Sequence, residues 1–297
     1  MKNLAVLLLF MLIFSGHLLN SFPFRKYKEG NSFYYKMIGF NNGKEYEAVS
    51  HHQVKKQGDT FFEKVNWVSL QFDGKVISLK SMKDFDQILS LDKKHSGSFP
   101  DISKIDGKIR NLIVGPIFDL MTFYVDLNPR LFFKKIDELE KGQPILFPYN
   151  KPSSWADGHF VILGEDCINF RILFQNDKKR PFLRVEHIAP EKNLNITFPE
   201  KWMKNTIGPG ENNWVQIRRL NEKYAVSYGY EYFDDHIYID PETGIILYAN
   251  MYNPVDFYTR VCGHIEMNKK SITGITECGP ISTQHIFRNI TIRLYHK

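Results

Sequence analysis

Three places in this 297-residue chain gather residue types that could hold a metal or move a proton. The first is His51-His52, with Glu45 and Glu47 just upstream. Neighbouring residues on a strand point to opposite faces, so the two imidazoles would not chelate together, and they read as solvated strand histidines. The second and third are Asp157-Gly158-His159 and Asp234-Asp235-His236. An i, i+2 Asp/His pair shares a face when extended, but a metal site needs further ligands that neither segment supplies. Turn chemistry explains Asp-Gly and Asp-Asp without a metal. No site residue is therefore assigned to a metal, and no cofactor is expected.

Nucleophilic catalysis has the residue types but not the frame. A Cys167–His–Asp arrangement is conceivable. Yet the chain has no Gly-x-Ser-x-Gly elbow, no His-Glu-x-x-His and no Gly-rich phosphate loop. Cys167, in the strand-like CINFRILF, reads as a small buried residue. No catalytic residue is assigned. Cys262 and Cys278 flank an apparent hairpin whose turn centres on Lys269 and Lys270. That places them nearly opposite each other, with Cα atoms within roughly 7 Å, the limit for a bridge. A disulfide there and a pair of unbonded thiols are both compatible with this spacing. Asn195-Ile-Thr197 and Asn289-Ile-Thr291 are glycosylation sequons, relevant only in a eukaryote. Trp155 sits in a loop, KPSSWADGH, beside Pro152.

The N-terminus bears on compartment. Lys2 precedes an apolar run over residues 4–14, followed by the short polar stretch SGHLLNS. This is the order of a secretory signal peptide. Residues 1–21 are expected to be removed by cleavage after Ser21, with cleavage after Gly16 as the alternative. An uncleaved anchor is the competing reading. Removal leaves 38 basic and 33 acidic residues, a net charge of +5. The charges are scattered, with no basic helix or aromatic RNA motif, so nucleic acid is not an expected partner. Mild attraction to a membrane surface is compatible with this charge. The oligomeric state is not legible.

The elements that would position any site read as strands, then helices, then strands. Residues 32–81 predict a four-stranded antiparallel meander, with two-residue hairpin turns at Asn42-Gly43 and Asp73-Gly74. Residues 82–142 read as a helical insert. Ser81 can cap a short helix through MKDFDQILSL, and RLFFKKIDELEKG reads as another, ended by Gly142. Residues 144–296 return to strands. CINFRILF alternates an apolar and a mixed face, as in a one-sided sheet. The whole of residues 22–297 reads as a single β-rich domain.

Between the helical pieces lies IVGPIFDLMTFYVDLNPRLFF, residues 113–133. A membrane span needs roughly 20 mostly apolar residues, and Asp119 and Asp126 interrupt this run at a prohibitive place. Gly115-Pro116 reads as a helix start, and Asn128-Pro129 as its stop. Asp119, Thr122 and Asp126, spaced i, i+3, i+7, would share one narrow wet stripe. The remaining circumference is apolar and must be buried. A long twisted antiparallel sheet curls on itself and needs its hollow filled. Residues 116–127 are therefore expected to pack into or over the concave face of a half-barrel. Phe118, Met121 and Val125 would line that hollow and bind a ligand.

This pattern resembles the periplasmic lipoprotein-carrier superfamily. The element strand, Asp-Pro-x-Thr-Gly, strand is recurrent there and stands here as Tyr238-Ile239-Asp240-Pro241-Glu242-Thr243-Gly244. A related exported family carries a mid-chain helix similar to Phe118-Asp119-Leu120-Met121-Thr122-Phe123. The resemblance covers residues 30–295 loosely. It implies an unclosed barrel that shelters an acyl chain or another hydrophobic molecule. The expected function is non-enzymatic binding of a lipid or hydrophobic small molecule outside the cytoplasm. The alternatives are an envelope interaction or scaffold module with a self-filled core, or a hydrolase whose site carries no recognisable motif.

Overall fold

The computed structural model describes residues 24–41, 43–82, 85–92, 97–98, 100–127, 135–147, 161–166, 169–175, 180–188, 214–268 and 271–295. Residues 1–21, Trp155, Asp157, His159, Cys167 and Asn195 lie outside them. The chain is mainly β: one large curved antiparallel sheet with an inserted helix.

The sheet begins as a meander of β1 (Ser32–Asn41), β2 (Lys44–Gln57), β3 (Thr60–Phe72) and β4 (Lys75–Val76). Asn41 pairs directly with Lys44. Asp73 and Gly74 both have positive φ, 46° and 74°, as the primed hairpin turn requires. The fourth strand is far shorter than expected: the chain leaves it at Ile77 and forms a 3-10 turn at Lys80–Met82. Among the described residues of MKDFDQILSL, the expected helix does not form. Gln87–Leu89 is instead a strand, β5, paired with β3. Phe85, Gln87 and Leu89 are buried in alternation with Asp86 and Ile88, a period of two that outweighs helix propensity.

The strand return comprises β6 (Ile145–Phe147), β7 (Val161–Asp166), β8 (Asn169–Gln175), β9 (Phe182–Ile188), β10 (Trp214–Leu220), β11 (Lys223–Glu231), β12 (Asp234–Ile239), β13 (Ile246–Asn268), β14 (Ser271–Cys278) and β15 (Ser282–Tyr295). The main path runs β4-β3-β2-β1-β15-β13-β12-β9-β8-β6. β13 spans 23 residues and is the branch point. Its first part pairs with β12 as far as Tyr252, and its second part pairs with β11 from Val255 onward. Pro254 stands at this change of partner, where a missing N–H is best tolerated. β10 and β7 extend the branch beyond β11.

The helix of the insert, α1 (Gly107–Asp126), is nine residues longer at its start than expected. Asp106 caps it by accepting from the Lys108 N–H at 3.0 Å. Pro116 lies in its interior, at a cost of about 3 kcal/mol relative to alanine. Packing offsets this: Ile113, Ile117, Leu120, Tyr124 and Leu127, alternating four and three residues apart, form one buried stripe. That stripe joins the inward residues of the sheet, among them Tyr35, Met37, Tyr46, Ala48, Ala249, Met251, Ile290 and Ile292, in one core. The helix thus fills the hollow with a face other than the expected one. Val125 is 50% exposed and Phe118 is only partly buried, whereas Met121, also partly buried, packs against the core as expected. Asp119, expected on the wet side, is 1% exposed. The side chain of Asp126 lies outside the description. A short second helix, α2 (Ile136–Glu140), follows.

Candidate functional site

The concave side holds a buried polar junction built from four segments. Alternation along β2 turns Ser50 and His52 inward with Ala48 and Val54. Alternation along β3 turns Glu63 inward with Val65 and Trp67. The segment before β1 brings Arg25 and Tyr27, and the last turn of α1 brings Tyr124. Arg25 donates to Glu63 Oε1 from Nε (3.1 Å) and Nη2 (2.8 Å), and Tyr27 donates to the same oxygen at 3.0 Å. Glu63 Oε2 accepts from the Tyr124 hydroxyl and lies 2.8 Å from His52 Nδ1. His52 Nε2 lies 3.0 Å from Ser50 Oγ. Phe33 stacks on the imidazole, and the Arg25 guanidinium lies 4.8 Å from the Phe33 ring centre.

These contacts fix the protonation states. Burial alone would raise the Glu63 carboxyl, but Arg25 and the hydrogen bonds from His52 and Tyr124 hold it down to about 2. Burial pushes the His52 imidazole below its ordinary value, against the pull of Glu63. Burial, and then the Glu63 charge, raise the hydroxyls of Tyr27 and Tyr124. The carboxylate is therefore ionised and the imidazole neutral. With Nδ1 facing the carboxylate, the proton sits on Nδ1 and Nε2 accepts from Ser50; the tautomer is assigned from its partners. The connectivity Ser50–His52–Glu63 is that of a serine–histidine–acid triad. Ser50, His52 and Glu63 all have 0% exposure. In this conformation the arrangement ties segments together and has no solvent-facing nucleophile.

A second polar cluster lies further along the same side. Asp119 accepts from the Tyr46 hydroxyl at 2.7 Å and faces Arg288 Nη1 at 3.4 Å. Arg288 Nε donates to Asn253 Oδ1 at 2.7 Å, and Asn253 Nδ2 donates to Glu231 at 2.8 Å. Burial raises both carboxyls, Asp119 and Glu231, against the effect of Arg288. Beside this cluster, a half-open cavity of about 290 Å³ lies between the first half of α1 and the β2–β3 end of the sheet. Tyr46, Phe72, Leu112, Val114 and Pro116 give it apolar walls, while Lys44 and Asn111 supply polar groups. Pro116 has no N–H to offer the Leu112 carbonyl, which softens the helical ladder at the wall.

The residues singled out by sequence fall elsewhere. His51 faces outward and stacks on Tyr34 with ring centres 4.4 Å apart. His52, expected to be solvated, is the buried member of the junction. The adjacent histidines do point to opposite faces. Glu47 pairs with Lys36 at 2.8 Å. Asp234 is held by Arg184 through two 3.0 Å hydrogen bonds and lies 3.1 Å from His236. Among the described residues, no group of three or more His, Cys, Asp or Glu could hold a metal ion. Phe118, Met121 and Val125 line no part of the cavity. Cys262 and Cys278 are register partners across β13 and β14 and form a disulfide, with Cα atoms 4.0 Å apart. Glu63 went unnoticed although its phase with Val65 and Trp67 marks it as an acid on an apolar face.

No family model, curated protein or solved structure matches this chain.

Proposed function

We propose that this protein is an exported, non-enzymatic binding protein that holds a small hydrophobic or amphiphilic molecule on the concave side of its half-barrel. The observation that carries the reading is the cavity of about 290 Å³ beside α1. An apolar cavity of about 150 Å³ holds benzene, and ligand pockets begin near 300 Å³. The space therefore suits one ring system or one short chain, not a whole lipid. The deeper hollow is occupied by the buried stripe of α1, so a longer chain would have to displace the helix. Lys44 at the wall suits a ligand with an anionic or hydrogen-bonding head. Native mass spectrometry of the purified protein, together with uptake of a hydrophobic fluorescent probe, tests the reading. Leu112→Glu should weaken uptake by placing a charge at an apolar wall. Wild-type protein that takes up no probe and carries no extractable molecule would leave a scaffold with a self-filled core.

The Ser50–His52–Glu63 connectivity favours a second reading, a hydrolase whose triad is covered by Tyr124 of α1. A fluorophosphonate probe in the presence of detergent or lipid vesicles tests it. Labelling abolished by Ser50→Ala supports it, and an unlabelled wild type dismisses it.

A further inference from the structure

The opposite, outward face of the same sheet carries a second site that is independent of the hollow. On β13, Tyr248, Asn250 and Tyr252 point outward, while Ala249 and Met251 are buried between them. Two aromatic rows cross the sheet from these tyrosines. In the first, Tyr248, Tyr238 and Phe182 are register partners on β13, β12 and β9, with ring centres 6.0 and 4.9 Å apart. In the second, Tyr232, Tyr252, Phe287 and Phe40 follow one another at 6.1, 5.4 and 5.8 Å. Tyr248, Tyr252, Tyr232 and Phe40 are each 36–40% exposed. Tyr248 and Tyr252 are four residues apart on one strand, so the rows are separated by about 13 Å.

A polar stripe lies between the rows. Asn250 Nδ2 donates to Asn289 Oδ1 and to Thr291 Oγ1, both at 3.1 Å. On the next strands the stripe continues with His236 and Arg184, the register partners that follow Asn250 across β12 and β9. The sequence of groups is ring, amide or hydroxyl, ring.

Several charges of this face are paired, while Arg293 on β15, the register partner of Tyr248, adds one cation. Lys36 meets Glu47, Arg184 meets Asp234 and Glu186, and Arg171 meets Glu186. A nucleic-acid strand needs a row of unneutralised cations along its phosphates as well as stacking rings, and a single arginine is not a row, so it is a poor fit. A bilayer needs a continuous apolar surface, and the stripe interrupts it. A protein partner would need pockets into which anchors insert, whereas this is the outer surface of a curved sheet. What fits is a neutral polymer whose units each offer a flat C–H face to an aromatic ring and a rim of hydroxyls to amides and carboxylates.

We infer that the outward face of β12, β13 and β15 binds a neutral polysaccharide, laid along the polar stripe with sugar rings stacked on the two aromatic rows. The test uses the full protein and three soluble neutral polysaccharides, a β-glucan, a xylan and a mannan, in affinity electrophoresis and titration calorimetry. At least one should bind. Tyr248→Ala combined with Tyr238→Ala should weaken it about tenfold or more, two stacking contacts being lost. Asn250→Ala, which removes hydrogen bonds and no ring, should weaken it as well and decides the matter if the double variant unfolds. Leu112→Glu should leave polysaccharide binding unchanged, which separates this site from the hollow. Absence of binding to all three, variants that bind like the wild type, or binding to phosphatidylcholine vesicles instead would overturn the inference.

Discussion

Arg25 donates two hydrogen bonds to one oxygen of Glu63, at 3.1 and 2.8 Å, with both side chains buried. Their separation of 38 residues makes the pair a tie between the N-terminal segment and the third strand. Arg25 also donates to the Gly244 carbonyl at 3.1 Å, and the Lys26 N–H bonds Thr243 O at 2.9 Å. The N-terminal segment is thereby locked against the turn of the Asp-Pro-Glu-Thr-Gly element. Gly244 has φ +70°, and a Cβ there would meet Phe24 O at 2.5 Å, so only glycine admits this approach.

Removing one partner of a buried ion pair leaves the other uncompensated, at about 3–5 kcal/mol. Glu63→Ala should lose that much in urea unfolding, because it strands Arg25 and takes the acceptor from Tyr27, His52 and Tyr124 together. Glu63→Gln should lose less, since it keeps the shape and one acceptor. A loss under about 1 kcal/mol for Glu63→Ala would mean that the junction is not holding the fold.

The junction also sets an acid limit. The His52 value is depressed in the folded state, so the unfolded chain binds its proton more readily. Its contribution is full above 6.5 and is lost as pH falls below that value. Glu63 is likewise depressed, from 4.5 to about 2, and its contribution disappears between those values. Asp119 and Glu231 are raised and act in the opposite sense, gaining stability as they protonate. Glu63 acts only below 4.5 and the two raised carboxyls gain stability where it would be lost, so the first loss on acidification belongs to His52. His52→Gln should flatten the decline in urea midpoint between pH 7.5 and 5.5. An equal decline in variant and wild type assigns it elsewhere.

The orientation of α1 can be tested by two truncations. Leu120 is fully buried, so Leu120→Ala should cost about 2–5 kcal/mol. Val125 is half exposed, so Val125→Ala should stay within about 1 kcal/mol. Comparable losses at both positions would restore the orientation read from the sequence.

That reading placed the helix in the hollow but turned it the wrong way, and the reason is instructive. The two acidic positions and Thr122 form a polar stripe by spacing alone, and spacing knows nothing of Tyr46 and Arg288, which meet Asp119 from 73 and 169 residues away. The turns at Asp73-Gly74 and at Asp240–Gly244 were legible because their chemistry is local: Asp240 Oδ1 accepts from the N–H groups of Glu242 and Thr243. The fold class and the strand return followed from alternation. The segment after Ser81 reads as a helix because its capping residue outweighs a three-residue alternation ending at Leu89. In the candidate site, Ser50, His52 and Glu63 each share the phase of apolar neighbours and could have been found. Arg25 could not, because nothing in its own segment points to a partner.

The disulfide gives the last prediction. Cys262 and Cys278 lie opposite each other on β13 and β14, 16 residues apart in sequence. Closing a loop of that size stabilises by about 3 kcal/mol in the chain-entropy account. Cys262 is also the register partner of Tyr224 on β11, so the bridge fastens the edge strand β14 to the branch of the sheet and not to the core around α1. Alkylation of the oxidised protein unfolded in denaturant without reductant should label one cysteine, Cys167, and after reduction in the same denaturant three. Cys278→Ser should lower the unfolding midpoint. It should also raise hydrogen exchange in β14 and the second half of β13, while β1 to β3 keep their protection. Labelling of all three cysteines without reductant would remove the bridge, and uniform loss of protection would show that the branch and the core unfold as one unit.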